Sequence, residues 1–391
     1  MKRVLSCLFL ACCALQLPAE TSQTNTYAKW SRGPSPDPSF FPIAVWLQAP
    51  RNAERYRQAG INTYVGLWRG PTEEQLAQLK QAGMRLVCEQ NSVALKHLDG
   101  PTIIAWMHGD EPDNAQSLGE GKGYGPPIAP ENIVADYRRI RAADPSRPVL
   151  LNLGQGVAWD GWYGRGVRSR HPEDYPQYVK GCDIASFDIY PVVHDHKEVS
   201  GNLWFVARGV ERLVQWGGGK KVVWNCLECT RISNPDRKAS PHQVRAEAWM
   251  SLIHGSQGLI YFVHQFKPEF REAALLEDAE MLAAVTALNK EITSLAPVLN
   301  SPALPGAVAV TTESSSIPIA VCARKHDGAL YVFAVALREG TTTASFRLEG
   351  TAAAKQVEVL GENRTIKLNQ GAFQDKFDSW DVHLYKVAAV E

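Results

Sequence analysis

Two glutamates stand in settings suited to acid–base and nucleophilic chemistry. Glu111 falls in Met107-His108-Gly109-Asp110-Glu111-Pro112-Asp113, and Glu228 in Trp224-Asn225-Cys226-Leu227-Glu228-Cys229. A carboxyl kept protonated can give its proton to a leaving oxygen, and one kept ionised can attack or stabilise the cationic carbon left behind. Acetal cleavage needs both at once. A separation of ~5–5.5 Å makes the second group a nucleophile, whereas ~6.5–9.5 Å leaves room for an attacking water; the residues alone leave both outcomes open. Taken singly, Glu111 reads equally well as a loop or helix-start carboxylate, and Glu228 as a solvated loop residue. What distinguishes them is their place among the surrounding elements.

Those elements alternate short apolar runs with amphipathic helical patterns, the mark of repeated βα units. Strands are predicted at 42–47, 63–68, 85–88, 103–107, 149–152, 184–189, 222–225 and 258–263, each followed by a helix candidate. The clearest helix begins at Thr72, where an N-cap precedes acidic Glu73 and Glu74, and it closes at Gly83. Eight such units within 40–301 predict a (β/α)8 TIM barrel. From 302 to 391 the pattern is strands only, at 307–311, 319–324, 329–336, 344–348, 356–360 and 382–387, which predicts a small antiparallel β-sandwich-like domain. Catalytic groups of such barrels stand at the C-terminal strand ends. Strand parity puts Ile103, Ala105, Met107, Gly109 and Glu111 on one face after the fourth strand, and Val222, Trp224, Cys226 and Glu228 on one face of the seventh.

With glutamates after strands four and seven, the chain resembles the retaining glycoside hydrolases of clan A, over the barrel and the trailing β-domain. The resemblance implies Glu111 as acid/base, Glu228 as nucleophile, a double displacement on the β-linked neutral sugars of an oligo- or polysaccharide, and no cofactor. The clan's usual Asn-Glu, often followed by Pro, reads Asp110-Glu111-Pro112 here. The clan's asparagine binds the sugar hydroxyl beside the reacting carbon, so Asp110 would have to accept where an amide can also donate. Relatives also place a tyrosine after strand six that hydrogen-bonds the nucleophile. Ser186-Phe187-Asp188-Ile189-Tyr190-Pro191 offers Tyr190 for that role, with Asp188 as a sugar-hydroxyl ligand or a supporting carboxylate. The alternative is a carbohydrate-binding barrel without catalysis, a reading encouraged by Asp110.

Other strand ends supply Asn152 and His264 as substrate contacts, with Glu89 and Gln90 at the third. Sugars present flat C–H faces that aromatic rings cover, and Trp46 and Trp68 end the first two strands as platforms. Cys226 and Cys229 have a C-x-x-C spacing, but there is no second pair and strand parity sets them on opposite faces, so they read as buried thiols. His194-Asp195-His196 reads as a polar loop, and no metal is expected.

Among 391 residues, 41 basic side chains balance 41 acidic ones, so no charged field suggests a nucleic-acid partner, and a neutral carbohydrate fits best. Met1-Lys2-Arg3, an apolar run over 4–17 and small Ala19 read as an export signal over 1–19. The run falls short of the ~20 residues that span a bilayer. A lipid anchor at Cys12 or Cys13 is the lesser alternative, and the proline-rich stretch 20–39 reads as a linker.

Overall fold

The computed structural model describes residues 25–351 and 354–388. The expected export signal over 1–19 and the two candidate anchor cysteines, Cys12 and Cys13, lie outside the described residues. Among the described residues, no helix is long and apolar enough to cross a membrane.

Eight parallel strands close into a barrel in chain order: β1 (Ile43–Trp46), β2 (Thr63–Val65), β3 (Arg85–Cys88), β4 (Ile103–Met107), β5 (Val149–Leu153), β6 (Ile184–Phe187), β7 (Val222–Glu228) and β8 (Gly258–Phe262). Alternate residues turn inward and pack as one cluster that includes Trp46, Met107, Leu150, Trp224, Cys226 and Ile260. The intervening residues face the helices and form the larger outer core. That outer layer is α1 (Ala53–Gln58), α2 (Glu73–Gln81), α3 (Pro130–Ala143), α4 (Tyr175–Tyr178), α5 (Trp204–Trp216), α6 (Pro241–Ile253), α7 (Ala274–Glu277) and α8 (Ala279–Ser294). Helix α2 starts as its sequence implies, with Thr72 and Gln75 forming a reciprocal cap. Gly209 on α5 is required by close approach, since a Cβ there would fall 2.1 Å from the ring of Phe187 on β6. Only a 3-10 turn over Ala94–Lys96 follows β3, where a helix was expected.

The C-terminal strands form two antiparallel sheets: one of β10 (Ile319–His326), β11 (Ala329–Ala336), β16 (Val382–Val387), β13 (Gln356–Val359) and β14 (Arg364–Lys367), and one of β15 (Ala372–Phe377), β12 (Thr342–Leu348) and β9 (Val308–Thr312). Strands β14 and β15 are additions to the expected six. The domain docks on α6, where Trp249 packs against Phe333 with ring centres 4.9 Å apart and donates to Glu291 Oε1 at 2.9 Å.

The stretch read as a linker is in part an anchor. Tyr27 and Trp30 are buried with the inward-facing barrel residues, and Tyr27 Oη accepts from Trp224 Nε1 at 2.8 Å and donates to Gln257 O at 2.8 Å. Two aromatic side chains thus bring a polar, proline-rich segment onto the barrel. Tyr27→Phe leaves a buried indole N–H and a carbonyl without this partner, a loss of about 1–3 kcal/mol. We predict a lower denaturant midpoint at unchanged m-value; an unchanged midpoint would show that the hydroxyl does not tie the segment down.

Candidate active site

The C-terminal end of β4 is pinned on both sides. Directly after Met107, buried His108 meets Asp136 through Nδ1 at 2.9 Å and Gly181 O through Nε2 at 2.8 Å. After it, buried Asp113 accepts from Gly154 N at 2.9 Å and from the Tyr175 hydroxyl at 2.8 Å. Between these ties Glu111 is held at φ 42°, a left-handed conformation that costs a non-glycine residue of order 1–3 kcal/mol. Its Oε2 accepts from Asn114 Nδ2 at 2.8 Å, and Asn114 Oδ1 accepts from Trp162 Nε1 at 2.7 Å. The carboxyl is therefore aimed by a two-step relay from the β5 loop.

Asn152, at the end of β5, joins the carboxylates of two other strands. Its amide donates to Asp110 Oδ1 at 2.8 Å and to Asp188 Oδ1 at 3.0 Å, while its own oxygen accepts from the Ser186 hydroxyl at 2.7 Å. The two hydrogens of one amide diverge at about 120°, which sets the facing oxygens roughly 5 Å apart. Asp188 Oδ2 also accepts from the Tyr190 hydroxyl at 3.0 Å. Tyr190 was expected to donate to Glu228; in the structure it serves Asp188.

Three carboxyls thus crowd one face. Burial and then the charge of Asp188 push Asp110 up to about 7, although it is open toward solvent on one side. Burial, followed by the charges of Asp188, Asp110 and Asp113, raises Glu111 well above the usual glutamate range. Burial raises Asp188 too, against the pull of the donors Asn152 and Tyr190.

Asp110 lines a cavity of about 960 Å3 whose walls carry Trp46, Trp68, Phe262, His264, Phe266 and Phe270. Trp68 is 68% exposed, so its ring is available as a platform, whereas Trp46 is almost wholly enclosed. His264 and Phe266 stack with ring centres 5.9 Å apart. Gln48 donates to Glu272 O at 2.7 Å and accepts from the Tyr56 hydroxyl at 2.6 Å, so its remaining amide hydrogen meets His264 Nε2 at 3.2 Å. That nitrogen is the acceptor, and burial keeps the ring neutral by lowering its pKa. Phe262, Phe266 and Phe270 escaped the sequence reading because two of them lie on the loop beyond β8.

Glu228 is placed differently. It is 0% exposed, with Oε1 accepting from Val192 N at 2.7 Å and Oε2 from Val193 N at 3.0 Å. Its titrating neighbour is Glu247 of α6, also fully buried, whose own oxygens reach no partner of good hydrogen-bond geometry. Burial pushes Glu228 up to about 7, and burial together with the charge of Glu228 raises Glu247 well above the usual glutamate range. The structure brings Asp110, Glu111, Asn152, Asp188 and Tyr190 together and leaves Glu228 in this separate acid pair. Glu247 was missed in the sequence, where its trace is one charge among Ala246, Ala248, Trp249 and Met250.

The acid pair makes stability depend on pH. A carboxyl whose folded pKa lies above its unfolded value binds its proton more tightly when folded, so the stability it lends is complete below about 4.3 and is lost as pH rises through about 7. Glu247→Gln removes one titrating partner at nearly constant volume. Its melting temperature is predicted to fall less between pH 5 and pH 8 than that of the wild type; equal falls would mean that the pair is not the source.

No family model and no curated protein matches the chain by sequence. Solved structures match it in three dimensions. AmyP, in complex with maltotriose, superposes over 90% of this chain and 98% of its own with a TM-score of 0.55 at 9% identity. A putative alpha-galactosidase/melibiase from Bacteroides fragilis does so over 89% and 79%, with a TM-score of 0.52 at 10% identity. The noncanonic maltogenic alpha-amylase AmyB from Thermotoga neapolitana covers 90% of this chain with all of its own, at a TM-score of 0.51 and 9% identity. What these proteins share with the chain is the fold, a closed parallel eight-stranded barrel followed by antiparallel sheets.

Proposed function

We propose that the chain is an exported glycoside hydrolase that cleaves β-linked neutral oligo- or polysaccharides with retention and without a cofactor. The observation that carries this reading is the convergence of Asp110 and Asp188 on Asn152, with Glu111 raised by their charges and Asp110 in the wall of an aromatic-lined cavity. The cavity lies in the size range of small-molecule sites, and Trp68 offers a ring to the C–H face of a sugar.

Glu111 is the proposed acid/base. Burial and the neighbouring charges raise its pKa, which favours the protonated form that gives a proton to the leaving oxygen. When a neighbouring carboxylate is esterified by the sugar, its charge disappears, the pKa of Glu111 falls, and the same group can then take a proton from water. Asp110, pushed up to about 7, is only partly ionised near neutrality, and its protonated form can donate to a sugar hydroxyl as an amide would. This reconciles Asp110 with a position that usually carries asparagine.

The test is hydrolysis of a panel of β-glucans, xylans, galactans and mannans, followed by Glu111→Ala on whichever substrate is cleaved. We predict a loss of ~10²–10⁴-fold on the natural substrate. On an aryl glycoside whose leaving group needs no proton, azide should accelerate turnover and yield the β-glycosyl azide. Wild-type protein that binds these glycans and cleaves none would favour the non-catalytic alternative, and an unrescued variant would remove Glu111 from its role.

A further inference from the structure

We propose that Asp188, not Glu228, is the carboxylate that attacks the anomeric carbon. This rests on the glycoside-hydrolase reading and assigns the one role in it that the geometry denies to Glu228. A nucleophile must present an oxygen to substrate. Glu228 has no exposed surface, and each of its oxygens is occupied by a main-chain amide of Val192 or Val193. To reach a sugar it would have to leave both donors and the Glu247 side chain together.

Asp188 meets the requirement at its place beyond β6. It keeps part of its surface accessible and shares the Asn152 amide with cavity-lining Asp110. Tyr190, which donates to its other oxygen, packs against cavity-lining Phe262 with ring centres 5.3 Å apart. The Asn152 amide and the Tyr190 hydroxyl each donate to one of its oxygens, and such donors favour the ionised, nucleophilic form against the burial that raises its pKa. Each carboxylate oxygen has two lone pairs, so one bond to each leaves a pair free for attack.

The steps then balance. An oxygen of Asp188 forms a bond to the anomeric carbon as the bond to the leaving oxygen breaks, and that oxygen takes the proton of Glu111. Water next attacks the anomeric carbon, its proton passes to Glu111, and Asp188 departs as the carboxylate. Tyr190 and Asn152 are positioning residues, and Asp110 is left to a hydroxyl of the sugar.

The experiment is covalent trapping on the wild-type protein, which needs no variant to fold. The probes are 2,4-dinitrophenyl 2-deoxy-2-fluoro-β-glycosides of gluco, galacto, manno and xylo configuration. At least one should give a burst of one dinitrophenolate per chain, with the added sugar mass on the peptide that contains Asp188. Asp188→Gly should lose the burst, and azide should restore its turnover with the α-glycosyl azide as product. A label on the Glu228 peptide, or a burst retained in folded Asp188→Gly, overturns this assignment and leaves the hydrolase reading standing. Wild-type protein that neither traps a probe nor cleaves any glycan of the panel overturns both.

Discussion

The site depends on one amide. Asn152 has two hydrogens to give and donates them to carboxylates from different strands, which would otherwise repel each other. Its own oxygen is fixed by Ser186, so the group cannot flip without losing every bond it makes. This is why Asp110 and Asp188 coexist a few ångströms apart, while burial and the charge of Asp188 raise the pKa of Asp110 against the pull of that amide. The elevated pKa of Glu111 follows from the same crowding, since the neighbouring charges of Asp188 and Asp110 reinforce its burial.

Such a cluster opposes folding, and the surrounding structure compensates. His108 and Asp113 tie the ends of the β4 turn to α3, to the β5 loop and to Tyr175, so the left-handed backbone at Glu111 cannot relax. Asn114 and Trp162 then fix the carboxyl itself. Strain confined between two well-anchored points is what a preorganised proton donor requires, because no reorganisation is left for the moment of reaction. The second acid pair, Glu228 with Glu247, bridges the loop after β6 to α6 and so supports the segment that carries Tyr190.

Much of this was legible in the sequence wherever periodicity is strong. Strands β3, β4, β11 and β16 and helices α3 and α5 begin and end where their apolar patterns do. Asp110, Glu111, Asn152, Asp188 and Tyr190 could be picked out because barrel strand ends are few and their polar residues conspicuous. The rest required three dimensions. Parity placed Glu228 inward with Cys226, but parity orients only the Cα–Cβ bond, and a side chain that long reaches whatever donors are near, here the Val192 and Val193 amides. Glu247 meets Glu228 only because α6 packs back on the barrel. Strands β14 and β15 were missed because Arg364, Lys367, Asp375 and Lys376 interrupt any apolar alternation, and the anchor at Tyr27 and Trp30 was hidden by the prolines that follow it.

The central claim is that sugar chemistry takes place among Glu111, Asp110 and Asp188 at the mouth of the barrel. The most direct measurement is a crystal structure of Glu111→Gln with an oligosaccharide that the wild type cleaves. The account predicts a sugar against Trp68, a hydroxyl at Asp110, and the anomeric carbon within about 3–3.5 Å of an Asp188 oxygen. An anomeric carbon held against Glu228, with the Val192 and Val193 amides released, would contradict it.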